Sequence, residues 1–475
     1  MKEQYWGEGK EIEYKREIPE RRVKFLKDVI AFANSSGGVI VLGVDEKSHD
    51  VVGLGDKNPF KLSDDITNMI ADNCVPQIET LISVKTIESE VVLEIEVFPG
   101  RLRPYYLHNK AKEESVYIRI NGTSRVASPA KIKELELEGA KISYDSLQEI
   151  GAEYDENRAL RLCSDMKEVA LRRCKSEEEK LSVKDMTISK LEDLGVLCRL
   201  GKSLFPTHAF MLMTDNKNLM AKIQCAVFKG TERTIFVDKR EYTGPVFEQL
   251  EDAYQFVLRN IKLGGVVNGL YTEDVYEMPL SVIREAIANA VVHRSYLEKS
   301  CVQVSLYDDR LEVVSPGSLY GGLSIEDIKQ GRSQCRNTAI AESFSYMRLI
   351  DSWGTGIPRI ISECKEYGLK DPLWEEFADG IRLTIYRNNA IADKLPINGK
   401  IADKLPINGE IADKKDQKYN LIKQFIADNG RITSAETMGL LGVKQRQARN
   451  ILNELVDAGV LSKNGQNKGT YYTLT

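Results

Sequence analysis

A short repeat near the carboxyl-terminal end separates a long amino-terminal region from a short tail. Residues 391–399 recur ten positions later as 401–409, and residues 411–414 begin a third copy. A period this short, interrupted by Pro and Asn-Gly, cannot form a solenoid unit and is typical of a spacer. A peptide ligand for a partner protein is the alternative interpretation. The segment 388–415 is therefore predicted to tether a small tail to a long amino-terminal region.

Length and charge limit the classes of protein that the chain can belong to. Its 475 residues allow roughly three domains, and a net charge of -5 lacks the basic excess of an obligate nucleic-acid coat. Any surface that binds nucleic acid must therefore be a local patch of positive charge. The eight cysteines contain no C-x-x-C pair, which indicates reduced thiols rather than a zinc site. The charged start and the lack of long apolar runs predict a cytoplasmic protein, neither exported nor membrane-embedded.

Residues 8 to about 130 have the pattern of an α/β module. Apolar residues from Phe25 to Ala33 recur at helical spacing, and the sequence Asn-Ser-Ser-Gly-Gly then ends the predicted helix. A continuous apolar strand follows at 39–44, of the type that is buried on both faces. Alternating segments at 91–97 and 115–120 predict two further strands.

This order of elements resembles the Schlafen AlbA-like nucleic-acid-binding domain. The motifs that carry the resemblance are Glu8, Glu13, Tyr14, Lys15 and residues 32–38, 43–45 and 117–119. In Schlafen-family RNA endonucleases the matching acidic positions are catalytic, which implies that Glu8, Glu13 and Asp45 hold Mg²⁺ or Mn²⁺ and activate water. Lys15 would neutralise a phosphate. The same carboxylates also recur in AlbA-like domains that only bind nucleic acid, so both interpretations remain open.

The middle region, 136–275, is predicted to be mainly helical, with a helix from 182 to about 194 and a strand at 225–228. Gly195 and Gly201-Lys202-Ser203 invite comparison with a phosphate-binding P-loop. Five residues separate these glycines, whereas a P-loop requires four. A helix followed by a β-turn is the favoured interpretation.

Glu285 and Asn289 are four residues apart and therefore lie on one face of a predicted helix. The carboxylate can take a proton from an attacking water, and the amide oxygen can bind Mg²⁺. Further along, the Gly354-Thr355-Gly356 backbone can be approached closely by phosphates. The Glu-x-x-x-Asn spacing alone also fits an ordinary amphipathic helix.

These features resemble two of the sequence boxes of the GHKL ATPases. Residues 140–387 resemble the helical and GHKL-like portions of bacterial Schlafen-type ATP-binding regulators. The resemblance implies ATP and Mg²⁺ as cofactors, Glu285 as general base, Asn289 as metal ligand, and cofactor binding by Asn289, His293, Gly317, Gly354 and Gly356. His293 and Arg294 would approach phosphate. Classical members recognise adenine through an Asp-x-Gly box, whereas this strand ends Ser315-Pro316-Gly317.

The last sixty residues resemble a winged helix. Apolar residues at 419–426 mark a first helix, Ser434 can cap a second, and Gly442 turns the chain into a third. A glycine-containing hairpin near 461–474 would form the wing. The first turns of the third helix, which enter the major groove in helix-turn-helix proteins, contain Lys444, Gln445, Arg446, Gln447 and Arg449. A protein-binding winged helix is the alternative.

The sequence thus predicts a multidomain α/β protein. Its parts are a Schlafen AlbA-like domain (1–135), a helical or mixed middle region (136–275), a GHKL-like α/β sandwich (276–387), a repeat linker (388–415) and a winged helix-turn-helix (416–475). The predicted function is an ATP-responsive, DNA-binding transcriptional regulator that acts as a homodimer on a two-fold site. The alternative is a metal-dependent RNA endonuclease gated by nucleotide, acting in phage defence.

Overall fold

The computed structural model describes residues 11–120, 122–214, 221–268, 271–350, 354–377 and 380–387, together with parts of the tail, namely 422, 425–426, 429–441, 448, 451–452, 455–456, 460–465 and 470–474. The chain forms two compact units, Met1–Ile397 and Asn398–Thr475. No helix among the residues described is both long and apolar enough to span a membrane. All eight cysteines are free thiols, and six of them are buried.

The first unit begins with an α/β module. Its strands are β1 (Ile12–Lys15), β2 (Gly38–Leu42), β3 (Cys74–Val75), β4 (Thr80–Ile87), β5 (Glu90–Val97), β6 (Tyr106–Leu107), β7 (Tyr117–Ile120) and β8 (Thr123–Val126). Its helices are α1 (Arg22–Ala33), α2 (Pro59–Asn73), α3 (Lys112–Ser115) and α4 (Pro129–Gly139). The main sheet has the order β1-β2-β5-β4, in which only the β1–β2 pair is parallel.

The predicted helix and the predicted buried strand are both confirmed in this module. Helix α1 buries an apolar face, and Ile40 and Leu42 of β2 pack against it in one core. Val41 points to the opposite face of the sheet, where it packs with Tyr14 and Val92. Strand β2 is therefore buried on both faces, as its unbroken apolar sequence predicts.

The turn after α1 is held by a buried amide. The side chain of Asn34 donates hydrogen bonds to the carbonyl oxygens of Tyr105 and Tyr117, at 2.8 and 2.9 Å, and accepts one from the Tyr105 amide at 2.8 Å. These bonds satisfy backbone groups that would otherwise be buried without partners. The Asn-Ser-Ser-Gly-Gly motif thus joins the helix end to two distant segments.

The rest of the first unit is a larger α/β assembly. Its helices are α5 (Glu156–Arg172), α6 (Glu177–Ser182), α7 (Ile188–Asp193), α8 (His208–Thr214), α9 (Val246–Asn260), α10 (Leu280–Val292), α11 (Ile325–Lys329), α12 (Thr338–Tyr346) and α13 (Gly356–Glu366). Its strands are β9 (Leu197–Leu200), β10 (Ser203–Pro206), β11 (Ile223–Phe228), β12 (Phe236–Tyr242), β13 (Leu263–Asn268), β14 (Tyr271–Tyr276), β15 (Val302–Leu306), β16 (Arg310–Pro316), β17 (Leu373–Phe377) and β18 (Gly380–Tyr386).

A six-stranded sheet in the order β12-β11-β15-β16-β18-β17 dominates this assembly. Strand β11 pairs in parallel with β15, although the two are far apart in sequence. One hydrophobic core extends from Ala159 to Ile385. The sheet and its core therefore continue across residue 275, where the sequence analysis places a domain boundary.

The predicted helix from 182 to 194 is wrong, because α6 ends at the start of this segment and α7 fills only its second half. Helix α6 ends at Ser182, where Val183 adopts an extended backbone. Helix α7 begins after Thr187, whose hydroxyl accepts a hydrogen bond from the Lys190 amide. The hydroxyl cap outweighs the apolar periodicity that predicted a single helix. The favoured alternative to a P-loop is confirmed, because a hairpin of β9 and β10 follows α7 and turns at Gly201.

The second unit contains helix α14 (Ser434–Leu441) and a hairpin of β19 (Leu461–Asn464) and β20 (Tyr471–Leu474). The predicted capping by Ser434 is wrong. The hydroxyl of Thr433 accepts the hydrogen bond from the Glu436 amide at 3.3 Å, and the Glu436 carboxylate accepts one from the Thr433 amide at 2.7 Å. This reciprocal pair forms a capping box one residue earlier than predicted.

Candidate functional site

Helix α10 brings the two residues of the predicted nucleotide site together. The side-chain nitrogen of Asn289 donates a hydrogen bond to Oε1 of Glu285 at 3.1 Å. The Glu285 side chain lies among the core residues of the helix and the residue is only 5% exposed, whereas Asn289 is half-buried. Helical spacing alone produces this adjacency, since residues four apart lie one turn above each other.

The beginning of helix α13 lies against the Glu285 carboxylate. A methyl group added at Gly356 would come within 1.8 Å of Glu285 Oε1, so only glycine allows this approach. Arg359, in the first turn of α13, forms an ion pair of 2.8 Å with Glu285 Oε2. The amide groups at a helix amino terminus attract negative charge, which favours both the carboxylate and an incoming phosphate. Arg359 was not among the predicted site residues. Its position three residues after Gly356 could have indicated it, because that spacing places a cation in the first turn of the helix.

Gly354 has a different environment from Gly356. Its backbone is in the left-handed region, with φ of 66°, and an added methyl group would lie 2.7 Å from the carbonyl oxygen of Gly331. The side of Gly354 that would carry a Cβ atom therefore faces the backbone of Gly331. Gly354 shapes the loop before α13 instead of presenting its open side to solvent.

His293, Arg294 and Gly317 are engaged in packing. Burial, aided by the charge of Arg336, lowers the pKa of His293 to about 4, so its ring is neutral at pH 7 and brings no positive charge to a phosphate. Arg294 is buried and donates to the Ser300 carbonyl at 2.7 Å. A methyl group at Gly317 would lie 2.6 Å from the Arg336 guanidinium.

Arg336 connects the larger α/β assembly of the first unit to helix α4, which follows the amino-terminal α/β module. Its guanidinium donates to the carbonyl oxygens of His293 and Ser318, each at 2.6 Å, and forms a 3.1 Å ion pair with Glu134 of α4. Lys131 also contacts Glu134, at 2.8 Å. The carboxyl-terminal end of α10 is therefore linked through one buried side chain to the helix that follows the first sheet.

The acidic residues predicted at the amino terminus are not gathered into a metal site by the residues described. Glu13 forms ion pairs with Lys15 at 3.0 Å and with Arg119 at 2.9 Å. The Asp45 carboxylate accepts hydrogen bonds from the amides of Lys47 and Ser48 in its own turn. Glu8 lies outside the described residues. Within the described ranges, no group of three or more His, Cys, Asp or Glu side chains could hold a metal ion.

Lys15 belongs to the same ion network as Glu13. Its ammonium also lies 2.9 Å from Asp28, whose carboxylate accepts a hydrogen bond from Ser124 at 2.7 Å. Burial opposes the charged form, but the carboxylates of Asp28 and Glu13 outweigh it and raise the pKa of Lys15. The lysine predicted to neutralise a phosphate is thus already paired with two carboxylates.

Exposed positive charge lies instead at the entry to α1. Arg16, Arg21, Arg22 and Lys24 are exposed, and the first turn of the helix contains no acidic residue. Cations at a helix amino terminus oppose the helix dipole, so they do not stabilise the helix itself. The sequence analysis did not single out these residues, although four cations within nine positions are a visible signal.

The predicted DNA-reading residues of the tail, Lys444, Gln445, Arg446, Gln447 and Arg449, lie outside the described residues. Among the described residues of the tail, Ile422, Ile432, Leu452 and Tyr472 share one buried core. An isolated bridge joins Ile432 to Tyr472 of the hairpin. The tail therefore has its own hydrophobic core.

Two family models match separate segments of the chain. Residues 8–128 match the family described as "Schlafen, AlbA_2", and residues 299–385 match the family described as "Putative ATP-dependent DNA helicase recG C-terminal", a HATPase-type model. These matches confirm the resemblance to a Schlafen AlbA domain joined to a HATPase-like module. Gly317, Gly354 and Gly356 lie within the second match, whereas Glu285 and Asn289 precede it. The two domains suggest a nucleic-acid-related function that depends on ATP.

Two solved structures are similar to the chain at a lower level. The DIP2311 protein from Corynebacterium diphtheriae is 18% identical over 98% of this chain and 91% of that one, with a TM-score of 0.42. The amino-terminal domain of a RecG-related protein from Nitrosomonas europaea is 23% identical over 26% of this chain and 86% of that domain, with a TM-score of 0.20. At these TM-scores neither similarity establishes a shared fold. No curated protein matched the chain.

Proposed function

We propose that this protein binds nucleic acid in response to ATP and regulates transcription by binding DNA. One observation carries the proposal. Glu285, which is bonded to Asn289, lies against the amino terminus of α13 in the HATPase-like assembly, and Arg336 joins the helix bearing that pair to α4, beside the AlbA_2 domain. A change at the nucleotide site therefore has a direct route to the nucleic-acid module.

The donor groups of the site fit a magnesium nucleotide. Because the amide nitrogen of Asn289 faces Glu285, its oxygen faces away from the carboxylate and can bind a hard metal ion. Glu285 would orient and deprotonate water, and the amino terminus of α13 would receive phosphate. Arg359 would leave Glu285 for the phosphate as ATP enters. Bound ATP supplies the phosphoryl group and most of the negative charge.

Two surfaces are proposed to bind nucleic acid. Arg16, Arg21, Arg22 and Lys24 at the entry to α1 would contact the phosphate backbone, which gives affinity without sequence specificity. The tail would act as a winged helix-turn-helix that reads DNA through its third helix, and homodimerisation would present two copies to a two-fold site. The capped helix α14 and the hairpin of β19 and β20 support this assignment.

Replacing Asn289 with alanine tests the nucleotide half of the proposal. Loss of the metal-binding amide is expected to weaken Mg-ATP binding by about tenfold or more, since a hydrogen bond or ligand contact to a charged group contributes about 1.5–3 kcal/mol. The change in duplex DNA affinity on adding Mg-ATP should disappear at the same nucleotide concentration. Calorimetry with ATP and gel shifts with and without nucleotide measure the two effects.

The matched control is Asn260→Ala, because Asn260 also bonds a group one turn earlier in its own helix, the Phe256 carbonyl at 2.9 Å. This variant should keep the affinity of the wild type for ATP. Equal ATP affinity in the wild type and Asn289→Ala would contradict the proposal that Asn289 belongs to the nucleotide site. If ATP does not change the DNA affinity of the wild type, the proposed regulation is wrong, but the proposed nucleotide site is not contradicted.

The ion network of Glu13 tests the nuclease alternative. Since Glu13 is paired with Lys15 and Arg119, we expect no Mn²⁺-dependent cleavage of structured RNA by the wild type or by Glu13→Gln. The variant leaves two cations less compensated and should bind nucleic acid slightly more tightly. The control is Glu17→Gln, which removes an exposed carboxylate paired with Lys57. Metal-dependent cleavage by the wild type that is lost only in Glu13→Gln would establish the nuclease instead.

A further inference from the structure

A cavity of about 330 Å³ lies away from the residues of the proposed nucleotide site, between the segment that links α6 to α7 and the end of α12. Its apolar wall consists of Val183, Met186, Leu194 and Tyr346. Sites for small organic ligands typically begin at about 300 Å³, so the cavity can hold a molecule with one or two rings.

The charges around this cavity favour an anion. Lys184, Lys190 and Arg348 line it together with the carboxylate of Asp193, and Arg348 is also paired with Glu179 next to the lining, which leaves a net charge of about +1. The Lys190 ammonium donates to the carbonyl of Asp185 at 2.5 Å. The carboxylate of Asp185 is itself paired with Lys167, outside the cavity lining. A ligand carboxylate, sulfonate or phosphate would therefore meet positive charge that Asp193 and Glu179 together do not balance.

The backbone of Arg348 supplies a second, independent observation. Arg348 has φ of 56°, in the left-handed region that glycine usually occupies after a helix. Holding a large non-glycine residue there costs roughly 1 kcal/mol or more. Its guanidinium reaches back across the cavity wall to Glu179 at 3.0 Å and Ser182 at 3.3 Å. Glu179 and Ser182 engage two of the five N–H donors of this guanidinium, which also lines the cavity.

We propose that this cavity binds a small organic anion with an apolar body. The charged head would lie at Arg348 and Lys190, and the apolar body would pack on Met186, Val183 and Leu194. Tyr346 closes one side, because its hydroxyl donates to the Lys184 carbonyl at 2.8 Å and holds the two walls together. The proposal does not depend on the nucleotide site or on DNA binding.

The test uses 8-anilinonaphthalene-1-sulfonate, a fluorescent organic anion with an aromatic body, titrated into the folded full-length protein. We expect one saturable site. Arg348→Gly should weaken the binding about tenfold, the loss expected for one charge-assisted contact. The same change should leave the thermal unfolding midpoint nearly unchanged, because relief of the left-handed backbone offsets the loss of the exposed ion pair with Glu179. That combination separates a binding role from a structural one.

Two further variants complete the experiment. Met186→Trp fills the cavity and should abolish the saturable signal, while Lys180→Gln removes an exposed lysine of α6 that lies outside the cavity and should change nothing. If Met186→Trp fails to fold, Arg348→Gly still decides the question. Equal dye affinity in the wild type and Arg348→Gly, or weak unsaturable binding in all proteins, would overturn the proposal.

Discussion

Replacing Glu134 with glutamine is expected to lower the free energy of unfolding of the first unit by about 3–5 kcal/mol, the usual cost of leaving a buried charge without its partner. Glu134 is 5% exposed and Arg336 is 4% exposed. The variant would leave the Arg336 guanidinium buried without a carboxylate, and Lys131 would lose the same partner. Because α4 and α10 are both held by Arg336, amide exchange should accelerate in 129–139 and near His293.

The acid dependence of stability provides a second measurement on the same pair. Burial raises the pKa of a carboxyl, but the charges of Arg336 and Lys131 outweigh it and lower the pKa of Glu134 from 4.5 to about 2. The stabilisation is therefore complete above pH 4.5 and is lost as the pH falls from 4.5 towards 2. The stability difference between the wild type and Glu134→Gln should shrink over that interval.

The control is Glu136→Gln, on the same helix. Glu136 is more exposed and pairs with Lys112 at 2.6 Å and Lys133 at 3.4 Å, so its loss should cost less than about 1 kcal/mol. Urea unfolding and hydrogen exchange measure both variants. Similar small losses of unfolding free energy in the two variants would show that the Glu134–Arg336 pair does not hold α4 and α10 together.

Replacing Gly356 with alanine is expected to weaken ATP binding by tenfold or more, or about 1.4 kcal/mol at least. The new methyl group would lie 1.8 Å from Glu285 Oε1, and a contact that short forces the carboxylate to move. Glu285 is held by Arg359 at 2.8 Å and by Asn289 at 3.1 Å, so its displacement disturbs every group of the proposed site. Calorimetric titration with Mg-ATP measures the loss.

A compensating change distinguishes this mechanism from general damage to the fold. Shortening the acid with Glu285→Asp in the Gly356→Ala background should make room for the methyl group and restore the thermal unfolding midpoint in part. Gly439→Ala is the control, because a methyl group there would meet no atom within 4 Å. ATP affinity that is unchanged in Gly356→Ala would place the nucleotide elsewhere.

The sequence analysis was most successful where the signal was local. The apolar spacing in 25–33 and the unbroken apolar run in 39–44 predicted α1 and β2, and the structure confirms both. The same local rule placed Glu285 and Asn289 on one face of α10. It failed for the segment 182–194, where residues 183–187 are not helical and the Thr187 cap starts a shorter helix at Ile188.

The sequence by itself determined the elements whose stability depends on neighbours within about four residues, since helix and strand periodicity are properties of adjacent turns and alternating faces. It also determined the resemblance to an AlbA domain and a HATPase module, through motifs read in order. The tertiary structure alone decided that Glu13 pairs with Arg119, that Gly356 makes room for Glu285, and that Arg336 joins α10 to α4. These contacts join residues 43 to 202 positions apart; the nearest pair is Arg336 with His293, and the farthest is Arg336 with Glu134. Such partners are set by the path of the folded chain, which no local pattern encodes.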